Sequence, residues 1–287
     1  MTSPGAVKES HLAGRWYPAA ADALGRLVRE LLDESGPPRA DVRGILVPHA
    51  ALAASGRVAA RGFAAAGVSH RRAVVLAPSH HVSFRGAAVL PWSGYRTPLG
   101  LVAIDQDTVE RLVASPLVRA NPAVFLREHA LEVQLPLLQV ANPTCALVPV
   151  LIGELADDDA DALAAVVAPL LSVDTLLVVS SNLVHYGRRY QYLPVPPTDA
   201  ASVAAAVEEI DRGALARVIA RDAAGFVAHV AETGATICGR GAIDVALRAL
   251  PPDTRGHELA YATSLSATAD HEHTVSYAAV AFTAAAA

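Results

Sequence analysis

The sequence predicts an α/β protein: one domain over residues 1–287, with a mixed central sheet flanked by helices. Short runs rich in Val, Ile and Leu lack the in-out alternation of a half-exposed strand, so they read as strands buried on both faces. Segments of helical periodicity lie between them, in the strand-helix order of a helix-covered sheet. No stretch of Pro, Gly and Ser is long enough to form a linker between separate domains, and no internal repeat has a recognisable period.

In chain order, a helix is expected over 20–33 and a first buried strand over 44–47, which runs into "PHA" with His49. A helix over 55–66 follows, then a strand over 73–76 that breaks into "PSHH" with His80 and His81. Residues 87–91 and 101–104 read as antiparallel strands and 106–114 as a helix. In "REHALEVQLPLLQ" a helix over 128–140 places Glu128 and Glu132 on one face, while Leu131, Leu135 and Leu138 turn to the core. An acidic first turn also suits the helix dipole, which gives Glu128 a plain capping role. A strand over 146–152, a helix over 157–171 and a strand over 176–179 lead to "SSNLVHYG" with Asn182 and His185. Residues 192–200 read as a surface loop, 202–219 and 241–250 as helices, and "HTVSYAAVAF" as a last antiparallel strand.

Composition excludes several classes. The formal charge of −5 is spread over both signs with no basic run, which argues against a nucleic-acid partner. No apolar run approaches the ~18 residues of a spanning helix, and the first residues hold no apolar core of a secretory signal. Neither a membrane partner nor export is expected. Cys145 and Cys238 are the only cysteines, and Cys145 lies in an apolar strand-like run, so a disulfide framework is not expected and a reducing cytoplasm is.

Polar residues fall at the ends of the buried strands, where open α/β sheets bind ligands. His49, the His80–His81 doublet and His185 follow three different strands, and neutral imidazoles converging on one point are what a metal ion needs. Any one of them alone would more simply cap a loop. Consecutive side chains in extended backbone diverge, so one of His80 and His81 faces a shared centre and the other turns elsewhere. Cys238, before Gly239, Arg240 and a helix-like run, is placed to be a thiolate ligand or nucleophile, against the bland alternative of a small core residue. His129 and Glu128 start a helix that can reach the same cleft. "DHEH" (270–273) reads as a solvated loop.

Assembled, these stretches resemble the Memo family, whose prokaryotic members are called AmmeMemoRadiSam system protein B. The likeness runs through "AGRWYP", "VPHA", "APSHH", "YRTPLG", "EHALEVQLP", "VPVLIG", "SSNLVHYG", "CGRGAI" and "VSYAA", in that order. It implies a fold like that of class III extradiol dioxygenases, with a metal held by His49, His80 and Cys238 and a cleft lined by Asn182 and His185; Glu128 and Arg240, beside these stretches, are read as lining the cleft too. Two departures stand out. "PHAALAASG" replaces the usual "PHAGYxYSG", leaving a less polar wall at Ala51, Leu52 and Ala54, and Asn182 stands where Asp is usual. An amide supplies neither the charge nor the basicity of a carboxylate.

The expected function is a mononuclear non-haem oxidoreductase of dioxygenase type acting on a small organic molecule, with Fe(II) foremost, copper next and zinc behind. His185 would be its acid or base, and His81 and His129 would position substrate. A second expectation is a cleft that binds a peptide or other ligand without turnover. A third is a metal-free Cys238–His dyad.

Overall fold

Why the strands carry so little polarity is plain from their place in the sheet. The computed structural model describes residues 5–156 and 158–284. In chain order the strands are β1 (Val7–Glu9), β2 (Val42–Val47), β3 (Arg72–Pro78), β4 (Ala87–Val89), β5 (Gly94–Thr97), β6 (Gly100–Ala103), β7 (Val118–Ala120), β8 (Ala146–Ile152), β9 (Thr175–Ser180), β10 (His185–Gly187), β11 (Thr254–Thr263) and β12 (His273–Ala284). The helices are α1 (Ala21–Asp33), α2 (Leu52–Ala66), α3 (Gln106–Val113), α4 (His129–Glu132), α5 (Leu135–Ala141), α6 (Asp159–Val167), α7 (Ala200–Ala220), α8 (Ala223–Thr233), α9 (Arg240–Ala249) and α10 (Leu265–Thr268).

At the centre β2, β9, β3 and β8 pair in that order, all parallel. Helices cover both faces, so Val74, Val75, Leu76, Leu177 and Val178 are wholly buried, and only apolar side chains suit both sides. Antiparallel strands flank this block: β12 lies against β2 and also pairs with β10 and β11, and β4 lies against β8 and carries β7. The sheet is therefore mixed, as expected. Strands β1, β5 and β6 form a separate small sheet near the N-terminus. One apolar core joins the layers. Helix α2, rich in Ala and Gly, lies so close on β2 that a Cβ at Gly62 would collide with Val47 Cγ1.

The expected helix over 128–140 is in fact two, α4 and α5, broken at Val133 and Gln134. Pro136 explains it: proline lacks the N–H and crowds the preceding turn, but is tolerated in the first turn of a new helix. Leu131, Leu135 and Leu138 are buried all the same. Pro169 likewise converts the end of the 157–171 segment to a 3-10 turn over Ala168–Leu170; position 157 itself lies outside the described residues. Helices α8 and α10 and strands β1, β5, β7, β10 and β11, absent from the sequence-based elements, complete the fold. No helix among the described residues is long and apolar enough to cross a membrane.

Candidate metal centre

Strand order builds the site. Because β9 lies between β2 and β3, the exits of β2 and β3 are two strand spacings apart, about 10 Å. Imidazoles leaning inward from both can meet above the end of β9. They do: the rings of His49 and His80 lie 5.1 Å apart, edge to face. Cys238 arrives from the loop between α8 and α9, its Sγ 3.1 Å from His49 Nε2. One ligand atom each of His49, His80 and Cys238 lies within 4.8 Å of the others.

Gly239 is what lets that loop approach. Its φ of −92° is open to any residue, so the requirement is space: a Cβ there would stand 2.5 Å from Ser181 Cβ and 2.9 Å from Ser180 O. Gly239 N donates to Ser181 Oγ at 3.0 Å, and Asn182 N donates to Cys238 Sγ at 3.3 Å. That N–H, aimed at the sulfur, holds Sγ in place beside His49.

The tautomer of His49 follows from counting protons. Ser180 Oγ has one hydrogen, which it gives to Ala130 O at 2.7 Å, while Gln134 Nε2 donates to it at 2.9 Å. His49 Nδ1, 2.9 Å away, is therefore the donor in its own contact with Ser180, and Nε2 keeps its lone pair toward Cys238. Burial holds His49 well below the usual histidine pKa, with the neighbouring His80 and His129 adding to the effect. Neutral imidazole is the ligand form.

His80 is oriented by a carboxylate. Its Nδ1 and backbone N donate to Glu128 at 2.8 and 2.6 Å, which turns Nε2 toward Cys238. Glu128 also caps α4 by accepting from Ala130 N at 2.9 Å, so the plain capping role and the cleft role are both filled by one side chain. Burial alone would lower the His80 pKa, but the sulfur of Cys238 and the carboxylate of Glu128 outweigh it and lift His80 to about 10. An anionic field that holds a proton so firmly also suits a metal cation.

A soft thiolate with two imidazoles, each with its outer nitrogen engaged, fits iron, copper or zinc by donor chemistry, His49 being neutral already and His80 giving up its Nε2 proton to the ion. His80, Glu128 and His129 form an overlapping group. That group fits less well, since both Glu128 oxygens already accept from His80 and Ala130.

His129 stacks on His80 at 4.3 Å and meets Trp16 at 4.6 Å; burial and the adjacent His80 lower its pKa to about 4. His81 diverges from His80 and is exposed, 5.9 Å from the His129 ring. His185 begins β10, and its Nδ1 lies 2.9 Å from Thr236 O, so that nitrogen carries the hydrogen and Nε2 is left free. Burial lowers its pKa, and His80 contributes through space. Asn182, 6% exposed, accepts from His49 N through Oδ1 at 2.9 Å and so braces the β2 exit. Arg240 opens α9 and lines, with His80, His81 and Cys238, a cavity of about 790 Å³.

Ser180, Gln134 and Trp16 belong to the site without standing out in the sequence. Ser180 had one available signal, a hydroxyl closing an apolar strand run; Trp16 lies in the remote "AGRWYP" stretch, whose only signal was the family resemblance. Glu132 does not share the Glu128 site. It is buried in a nest of donors, accepting from Leu12 N and from the hydroxyls of Ser10, Tyr17 and Tyr95 at 2.8–2.9 Å, and so pins the N-terminal segment that carries Trp16.

A family model described as Memo-like protein matches residues 8–281. The chain belongs to the Memo family. Among Memo relatives, "Protein memo-1 homolog" of Caenorhabditis elegans is 30% identical over 245 residues, covering 83% of this chain and 69% of that protein. "Protein MEMO1" of Rattus norvegicus is 28% identical over 296 residues, covering 99% of both chains. The Homo sapiens protein of the same name is 28% identical over 257 residues, 87% of this chain and 86% of its own.

Proposed function

We propose that this Memo-family chain holds one redox-active metal ion through His49 Nε2, His80 Nε2 and Cys238 Sγ and acts on a small organic molecule as an oxidoreductase of dioxygenase type. The observation that carries the reading is the approach of those ligand atoms to within 4.8 Å, with the other nitrogen of each imidazole already donated to Ser180 or Glu128. Iron(II) is the first choice and copper the second; the thiolate, softer than the carboxylate of the usual two-histidine set, brings in copper(I) and also zinc, which ranks third because it has no redox chemistry. Such an ion, when bound, supplies one-electron chemistry toward dioxygen and substrate. Glu128 and Ser180 fix the two imidazoles, and His129 braces His80 by stacking. His185 Nε2, unprotonated while Nδ1 donates to Thr236, takes a proton from substrate. His81, exposed on the cavity wall, orients it. Both cysteines are free, which fits a reducing compartment such as the cytoplasm.

A second reading, a cleft that binds a peptide or other ligand without turnover, is favoured by Asn182, a neutral amide whose oxygen is taken up by His49 N. Anaerobic reconstitution with Fe(II) or Cu(I) tests the metal. Near-stoichiometric binding is expected in the parent and its loss in His49→Ala, His80→Ala and Cys238→Ser; equal binding in all four sinks the proposal. Dioxygen uptake with a catechol panel then separates catalyst from binder.

A further inference from the structure

The 790 Å³ cavity beside Cys238 is lined by both polar and apolar side chains. His80, His81 and Cys238 are among the polar ones. Phe226, Val230, Ile152 and Leu155 supply apolar wall, and Val82 and Val227, 40% and 44% exposed, stand on the same cavity as uncovered apolar side chains. That surface accommodates an organic body rather than a bare ion, and the volume is in the range of small-molecule sites.

The charges on the wall are unequal. Arg248 is committed, donating to Asp244 and to Asp161 at 2.8 Å each, so this pair adds no free cation. The Arg240 guanidinium, by contrast, has no hydrogen bond or ion pair with any described residue, although it lines the cavity and lies two positions from Cys238. An unpaired guanidinium facing a partly apolar cavity is a planar recognition group for a carboxylate. Glu154 lines the same cavity, and its negative charge opposes a second charge on the ligand. Among the described lining residues, His80 and Arg248 are paired with carboxylates and Arg240 alone is left without a partner, which favours a monoanion over a dianionic phosphate ester.

We infer that the cavity binds a singly charged organic acid, with its carboxylate on Arg240 and its apolar body along the Phe226 and Val230 wall. Arg240 is then a specificity-determining residue for the substrate side of the proposed metal site. The assignment rests on the metal reading only for what happens after binding, so the test uses metal-free full-length protein. Calorimetric titration compares phenylacetate and octanoate, each beside its neutral amide, and phenyl phosphate.

At least one acid is expected to bind about tenfold or more tightly than its amide, the scale of one charge-assisted hydrogen-bond pair. Arg240→Gln is expected to abolish that preference and Arg240→Lys to keep some of it. Equal binding of acid and amide, no binding of either acid, a preference that survives Arg240→Gln, or tighter binding of phenyl phosphate overturns the inference. Metal stoichiometry measured on the same samples keeps the two proposals apart: a parent that takes up no metal defeats the metal reading, yet leaves the acid–amide comparison to stand or fall by itself.

Discussion

At the scale of single residues, the deciding group is Ser180, whose lone hydroxyl proton is spent on Ala130 O and so compels His49 to donate from Nδ1. Ser180→Ala removes the acceptor that fixes the imidazole, leaves the buried Nδ1–H without a partner, and frees the ring to turn. Loss of such an outer partner typically lowers metal affinity about 10- to 100-fold. We expect that loss for Ser180→Ala in competition with a chelator, with the far-ultraviolet spectrum retained; an affinity equal to the parent's would remove Ser180 from any orienting role. The histidines and Cys238 were legible in the sequence because each punctuates the end of an apolar run or precedes a helix. Ser180 was not, since a serine after a strand reads as a turn until the carbonyl that takes its proton is seen. Glu128 was half legible: its capping position shows in the sequence, but its bond to His80 depends on two loops that only the sheet brings together.

Between residues and the whole lies the loop from α8 to α9, which delivers Cys238. An added Cβ at residue 239 meets Ser181 Cβ and Oγ at 2.5 Å and the Ser180 carbonyl at 2.9 Å, and the last of these is backbone that cannot rotate away. Gly239→Ala must therefore lift the loop off β9, drawing Sγ away from His49. Overpacking of this kind costs about 1–3 kcal/mol. The expected result is a lower melting temperature together with loss of metal uptake, partly recovered in Gly239→Ala/Ser181→Gly, where only the carbonyl contact remains. A single variant that binds metal like the parent would show that the loop has slack. The central strands were legible because burial on both faces writes itself as an unbroken apolar run. Helix α8 was not, although Asp222 caps it by accepting from Gly225 N at 2.8 Å and Gly234 ends it at φ +64°. Its small residues and the internal Gly225 blur the helical period on which such a reading depends. Strand β11 escaped for a related reason: at the sheet margin its side chains are mostly half-buried, and its polar residues mask the pattern.

For the molecule as a whole, stability against pH carries a term from a carboxylate outside the metal-ligand set. Asp211 on α7 is fully buried, accepting from Val184 N at 3.1 Å and the Tyr261 hydroxyl at 2.8 Å, and so ties α7 to the chain before β10 and to β11. The nearest guanidinium, on Arg212, is engaged with Glu208 and Glu258 instead. Burial raises the Asp211 pKa from 3.8 to about 6, more than its hydrogen bonds from Val184 and Tyr261 pull it down. The folded protein then holds a proton that the unfolded chain has released, so this term stabilises fully below pH ~4 and is lost as pH rises through about 6. At about 1.4 kcal/mol per unit, the total is on the order of 3 kcal/mol, a large share of a typical domain's margin. Buried imidazoles act in the opposite sense: His49, His70, His129 and His185 have lowered pKa values, and their contribution is present above the unfolded value and lost as pH falls. The parent's own pH curve mixes the two, but its difference from Asp211→Asn isolates the carboxylate. Asparagine keeps an acceptor for Val184 N and can donate to Tyr261 Oη, so the variant is expected to fold. Urea unfolding at pH 4.5 and pH 7.5 is expected to show the variant gaining on the parent by roughly 2 kcal/mol across that interval. Parallel curves for the two proteins would mean that Asp211 is ionised in the folded state throughout, with its two donors outweighing the cost of burial.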